Sequence, residues 1–161
     1  MWTLMDSPAG QLRIVASRSA ITAIEFAGLP VGSAVGRPEG DRDDADPLLL
    51  EAVRQLQAYF ARDLKEFDLP LSPAGTPFQQ RVWEQLAGIG YGETVSYGEV
   101  ALRLGMRVAA SRAVGLANGR NPIPIVIPCH RVVGANGTLT GYAGGLERKR
   151  ILLELEQDAL F

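Results

Sequence analysis

The sequence predicts an α/β N-terminal domain with a small antiparallel sheet, followed by a mainly helical C-terminal domain carrying a winged-helix-like helix-turn-helix. Three observations lead there. Residues 1–27 contain three short apolar or β-branched runs separated by turn residues. Asp46-Pro47 and Thr76-Pro77 each place a capping residue before a Pro and then apolar residues at helical spacing. Gly105 separates two short helical patterns, the arrangement expected of a helix-turn-helix.

The strands are expected at Trp2 to Asp6, Gln11 to Ser17 and Ala20 to Phe26. Residues 28–46 are rich in Gly, Pro and Asp and read as a mobile surface loop. From Pro47 a helix runs to about Arg62, with Leu49, Val53, Leu56 and Phe60 on its apolar face. Phe67 to Leu71 reads as a short strand, and Ser72-Pro73-Ala74-Gly75 as a connection. The expected division is residues 1–72, a linker at 73–76, and residues 77–161. In the second part Phe78, Val82 and Leu86 share one helix face. Ser96 caps a short helix holding Tyr97, Val100 and Leu104, and a third helix falls near 108–117. Ile123 to Ile127 reads as extended. Arg131 to Val133 and Thr138-Leu139 read as a hairpin about Asn136-Gly137, and a last helix follows Gly144-Gly145 with Leu152 and Leu155 inward.

Composition narrows the function. The chain has 161 residues, 47% hydrophobic and 21% charged, enough for a sizeable core. Its apolar runs are too short to cross a bilayer, and its first residues lack a signal-peptide pattern, so a cytoplasmic location is expected. One Cys and one His exclude an internal disulfide and a Cys-rich zinc site. The net charge of −2 is unevenly spread. Residues 1–75 carry seven basic and eleven acidic side chains, whereas residues 76–146 carry six and three. A basic second half permits a nucleic-acid partner, although an ordinary mixed surface would read the same way.

Cys129 is the candidate nucleophile. A lone cysteine is ordinarily a small buried hydrophobe, but Pro128-Cys129-His130-Arg131 sets it beside the only histidine and a cation. Such neighbours favour thiolate. In an extended segment adjacent side chains point apart, so a turn or a bridging water is needed for His130 to act on Cys129. A histidine base needs an orienting carboxylate. Glu156 is the best candidate, lying four residues after Leu152 on the inward side of the last helix, while Glu154 reads as solvated. In the third helix Ala110, Val114 and Ala117 make an inward face, with Ser111, Arg112 and Gly115 opposite. Such a helix either approaches a narrow surface through one arginine or packs tightly in the core.

Together these segments resemble the O6-alkylguanine-DNA alkyltransferase family of DNA repair proteins. The resemblance rests on Ile125-Val126-Ile127-Pro128-Cys129-His130-Arg131-Val132-Val133, on Phe78 to Trp83, and on Gly92 to Gly98. Ser111 to Gly115, Asn118 to Pro124, Gly141 to Gly145 and Glu147 to Leu153 extend it. It is dense over 76–157 and only in outline over 1–72. The resemblance implies a single-turnover protein that enters the minor groove of double-stranded DNA and flips an O6-alkylguanine out of the stack. Cys129 would then take the alkyl group irreversibly, with His130, Glu156 and a water removing the thiol proton. It further implies that Arg112 fills the vacated stack, with Ser111 and Gly115 against the groove. Tyr97 would meet the base and its phosphate, Tyr142 would pack on the base, and the Ala143 N–H would reach O6. Asn121 would brace the turn before the active-site segment, and Arg131 would hold that segment. Some relatives carry a structural zinc in the N-terminal domain, but with Cys129 and His130 assigned no ligands remain for one here, so neither metal nor cofactor is expected. The chain is expected to act as a monomer, with cooperation along DNA left open. Three rivals remain at this point: an alkylated-DNA binder without transfer, a Cys129–His130–Glu156 hydrolase, and a helix-turn-helix regulator.

Overall fold

The structure is a computed structural model that describes residues 1–27, 40–142 and 144–158. Strands β1 (Trp2–Met5), β2 (Leu12–Ala16) and β3 (Ile21–Phe26) form an antiparallel sheet in the order β1-β2-β3. Thr3, Met5, Leu12, Ile14, Ala16, Ile21, Ile24 and Phe26 are its buried residues. Ile21 and Ile24, three residues apart, break strict alternation. The register shift opposite Val15 and Ala16 inserts one extra residue in β3, and this bulge restores the inward face.

Helix α1 (Pro47–Phe60) covers that face. The Asp46 carboxylate accepts from the Leu49 N–H at 3.0 Å, and Pro47 starts the helix where its missing N–H costs nothing. Its buried stripe is Leu49, Ala52, Gln55, Leu56 and Tyr59. Val53 and Phe60, expected inward, are only half-buried, because seven residues apart they share one edge of the stripe. Helix α2 (Pro77–Ala87) begins with a reciprocal capping box between Thr76 and Gln79 and buries Val82, Trp83 and Leu86. Ser96 caps α3 (Tyr97–Arg103), and Gly105 at φ +77° makes the turn that only glycine adopts freely. A 3-10 turn at Val108–Ala110 then feeds α4 (Ser111–Gly119). Trp83 Nε1 donates to the Ala117 carbonyl at 2.9 Å and ties α2 to α4. Helix α5 (Leu146–Asp158) closes the molecule with Leu152 fully buried and Leu155 half-buried.

Four expectations need correction. Phe67 to Leu71 is not a strand; it makes one isolated parallel bridge, Leu71 to Ile21. Ile123 to Ile127 is not extended but tightly turned, with Ile127 N donating to Ile123 O at 3.0 Å. The hairpin is replaced by β5 (Val132–Val133) pairing in parallel with β4 (Val95–Ser96), followed by a turn closed from Gly134 N to Thr138 O. The end of the acidic loop is pinned rather than loose, since Trp2 N donates to Asp41 O and Asp43 N to Trp2 O. Residues 28–39 of that loop, and Ala143, lie outside the described residues.

Candidate active site

The segment before Cys129 is set by Asn121. Its Nδ2 donates to Ile127 O at 2.8 Å and its Oδ1 accepts from Ile123 N at 3.0 Å, so one side chain closes the loop at both ends. Ile125 sits inside that loop at φ +74°. A β-branched residue there is strained by about 1–3 kcal/mol, a conformation that persists only when its surroundings over-determine it. Cys129 to Arg131 then form a single 3-10 turn. This turn answers the geometric objection to neighbouring Cys and His, since the two side chains no longer alternate across a strand.

Glu156 is the centre of the site. Its side chain is 1% exposed, and its two oxygens collect donors from three parts of the chain. His130 Nε2 lies 2.6 Å from Oε2. Arg131 donates through Nε to Oε1 at 2.9 Å and through Nη2 to Oε2 at 3.1 Å. Tyr59 Oη donates to Oε2 at 2.6 Å, and Gly92 N to Oε1 at 3.3 Å. Arg131 spends its remaining Nη1 on Ile89 O at 2.6 Å, so it anchors the turn as expected. Burial alone would raise the Glu156 pKa, but the His130, Arg131 and Tyr59 contacts win and hold it at about 2. The carboxylate is therefore ionised, and a buried charge is tolerable here because it is paired and fully hydrogen-bonded.

The thiol behaves differently from the sequence expectation. Burial pushes Cys129 up to about 11, and the opposing pull of Asn121, Lys149 and Tyr142 does not overcome it. The site thus stores a thiol at neutral pH rather than a thiolate. His130 is pushed below its ordinary value, first by burial, against the pull of Glu156. With Nε2 committed to Glu156, its buried Nδ1 makes no hydrogen bond and is open to accept a proton.

Tyr142 lies beside the thiol. It packs edge-on against Phe26 with ring centroids 6.0 Å apart, and its buried hydroxyl faces the Cys129 thiol. Tyr97 Oη donates to Thr140 O at 3.3 Å, and a Cβ on Gly115 would lie 3.7 Å from the Tyr97 ring, so α4 and Tyr97 are in close approach. On α4 the Ser111 hydroxyl is turned back onto Val108 O at 2.5 Å. Val114 and Ala117 are buried, Ala110 half-buried, and Arg112 exposed. Leu116 beyond it is 62% exposed.

Sequence reasoning missed three residues. Tyr59 reads locally as one more apolar position of α1. Lys149 reads as a surface base, yet it is 0% exposed and donates to Val132 O at 2.6 Å and Thr140 O at 2.8 Å. Asn118 sits in a helix that otherwise reads as small and smooth, yet its Nδ2 donates to Cys129 O at 3.3 Å, joining α4 to the thiol turn. A polar residue at an inward helical position was the available signal for Asn118, lying four residues beyond Val114.

Fold and site together define a protein with a buried cysteine, backed by a histidine–carboxylate pair, set behind a helix-turn-helix. Comparison with known proteins sharpens this. Residues 1–73 match the ribonuclease-like domain of 6-O-methylguanine DNA methyltransferase, and residues 77–158 match its DNA binding domain. A methylated-DNA–protein-cysteine methyltransferase of Mycobacterium bovis is 51% identical over 154 residues, covering 95% of this chain and 90% of the relative. One from Methanosarcina acetivorans is 46% identical over 155 residues, covering 96% and 97%. The crystal structure of Mycobacterium tuberculosis OGT in complex with DNA superposes with a TM-score of 0.84 at 48% identity, covering 98% of this chain and 93% of that one. The chain belongs to the 6-O-methylguanine DNA methyltransferase family.

Proposed function

We propose that this protein repairs double-stranded DNA containing O6-alkylguanine by moving the alkyl group onto Cys129, once per molecule. The Cys129 sulfur attacks the alkyl carbon, the carbon–O6 bond breaks, and its electron pair leaves with the guanine. The thiol proton passes toward His130 Nδ1, while Glu156 steadies the imidazolium that forms. The thioether has no route back, so the protein is consumed. The observation that carries this reading is the buried Cys129 turn, whose His130 Nε2 stands 2.6 Å from an ionised, fully enclosed Glu156.

The remaining roles follow from placement and from the family. Arg112 is exposed on α4 and free of hydrogen bonds and ion pairs among the described residues, which suits a side chain that fills a vacated base position in the minor groove. Tyr97, Ser111 and Gly115 line the approach, Tyr142 meets the base, and Asn121 keeps the pocket wall in shape. The family resemblance assigns the O6 contact to Ala143, which lies outside the described residues. The protein acts as a monomer at this site. A nucleophilic thiol needs a reducing compartment, which favours the cytoplasm. No helix among the described residues is long and apolar enough to cross a membrane.

The test is stoichiometry. With excess methylated duplex, methyl loss from DNA stops at one equivalent of protein. Continued turnover would instead make Cys129 a hydrolase nucleophile.

A further inference from the structure

Tyr59 brings to the Glu156 network a donor from the N-terminal half of the chain. It comes from α1, 97 residues away in sequence, and its hydroxyl stands 2.6 Å from the same Oε2 that meets His130. Its ring is fully buried and wedged by Phe60, Phe67 and Tyr91 at centroid distances of 5.2, 5.4 and 6.2 Å. The hydroxyl therefore has one orientation. Packing alone would be served by a phenylalanine, so the hydroxyl itself calls for an explanation.

The chemistry of the donors supplies one. The Arg131 guanidinium carries no acceptor atom and can only donate. The Tyr59 phenol, raised by burial and by the neighbouring Glu156 charge, also keeps its proton and donates. Two obligate donors on Glu156 hold it as an acceptor, so the third group on Oε2, His130 Nε2, must donate as well. The imidazole proton is thereby fixed on Nε2 and Nδ1 is left bare. We propose that Tyr59 is a positioning residue for alkyl transfer: its hydroxyl, brought from the N-terminal half, holds Glu156 as an acceptor and so sets the tautomer and basicity of His130. This rests on His130 taking the Cys129 proton.

Among the described residues, the charged and titratable groups around the pair include Arg131 on the same turn, Lys149 on α5, Tyr59 on α1, Tyr91 in the loop after α2, Arg62 acting on Tyr91 and donating to Leu155 O, and Cys129 itself. Tyr59 and Arg131 donate from side chains to Glu156 alongside His130. Removing the Tyr59 donor leaves more of the carboxylate charge to act on the imidazole, which becomes easier to protonate.

His130 is the only histidine in the chain, so its ring signals in a nuclear magnetic resonance titration need no assignment. The wild type is expected to show the Nε2–H tautomer. In Tyr59→Phe the His130 midpoint rises by about one pH unit. The acid limb of methyl transfer moves up with it. A 3-fluorotyrosine at position 59, a stronger donor of nearly the same size, moves the midpoint down and guards against a folding defect in the phenylalanine variant. An unchanged midpoint in both variants overturns the proposal, whatever happens to the melting temperature. Failure of the wild type to take a methyl group from methylated duplex overturns the assigned reaction instead, and leaves the titration result standing.

Discussion

A buried thiol is a poor nucleophile until something takes its proton. Cys129 titrates near 11 because burial disfavours the thiolate, so at neutral pH the resting pair is thiol and neutral imidazole. Proton transfer must accompany attack, and His130 must be neutral to accept. The rate is expected to be flat near neutrality and to fall as pH drops through the His130 pKa, which lies below 6.5. Glu156→Gln replaces an acceptor with a group that cannot satisfy Arg131, Tyr59 and His130 together. It should slow single-turnover transfer by about 100-fold and lower stability by about 3–5 kcal/mol, the range for breaking a buried ion pair. Single-turnover rates across pH, with melting curves on the same samples, check both. Equal rates for the wild type and Glu156→Gln would reduce Glu156 to a structural acid.

At the level of elements, the proposed function divides α4 between DNA handling and chemistry. Its residues Val114, Ala117 and Asn118 are buried, Asn118 hydrogen-bonding to the thiol turn, while Arg112 is exposed. Unstacking a base costs a few kcal/mol, which a side chain filling the gap helps offset. Arg112→Ala is therefore expected to slow transfer from alkylguanine in duplex by about 10- to 100-fold. It should leave transfer from the free alkylated base unchanged. Equal slowing on both substrates would place Arg112 in the pocket wall. Much of this element level was legible in sequence, because caps and alternation are local signals: Asp46, Thr76 and Ser96 all cap the helices expected of them. The Ile123–Ile127 loop was not, since its apolar residues suit a strand and its true shape depends on the Asn121 side chain and a positive φ at Ile125. The β4–β5 pairing joins residues far apart in sequence, which no local pattern announces. Glu156 was legible from helical spacing; its partner Tyr59 was not, because a buried tyrosine on α1 looks like any other core position.

The whole molecule shares one core across its halves. Besides Tyr59 on Glu156, Ile24 N donates to Pro122 O at 2.9 Å and Arg148 Nε to Ala9 O at 2.8 Å. Chemistry at the site is therefore linked to global stability. Glu156, held low, contributes stability above about 4.5 that is lost as pH falls toward about 2. His130, held neutral, makes the fold lose stability as pH falls below 6.5. Cys129, held high, contributes stability below 9 that is lost as pH rises through about 11. Methylation removes the titrating thiol, so the Cys129 part of the alkaline loss should vanish in the methylated protein. Denaturant unfolding of both forms from pH 8 to about 11 measures it, and identical alkaline slopes would show that Cys129 is not the titrating group.

The most direct test of the account is peptide-mapped mass spectrometry after reaction with O6-methylguanine duplex. The account predicts one added methyl group per chain, confined to the peptide bearing Cys129, and none in Cys129→Ser, which should still bind the duplex. A methyl group on any other residue, or uptake by the serine variant, would contradict it.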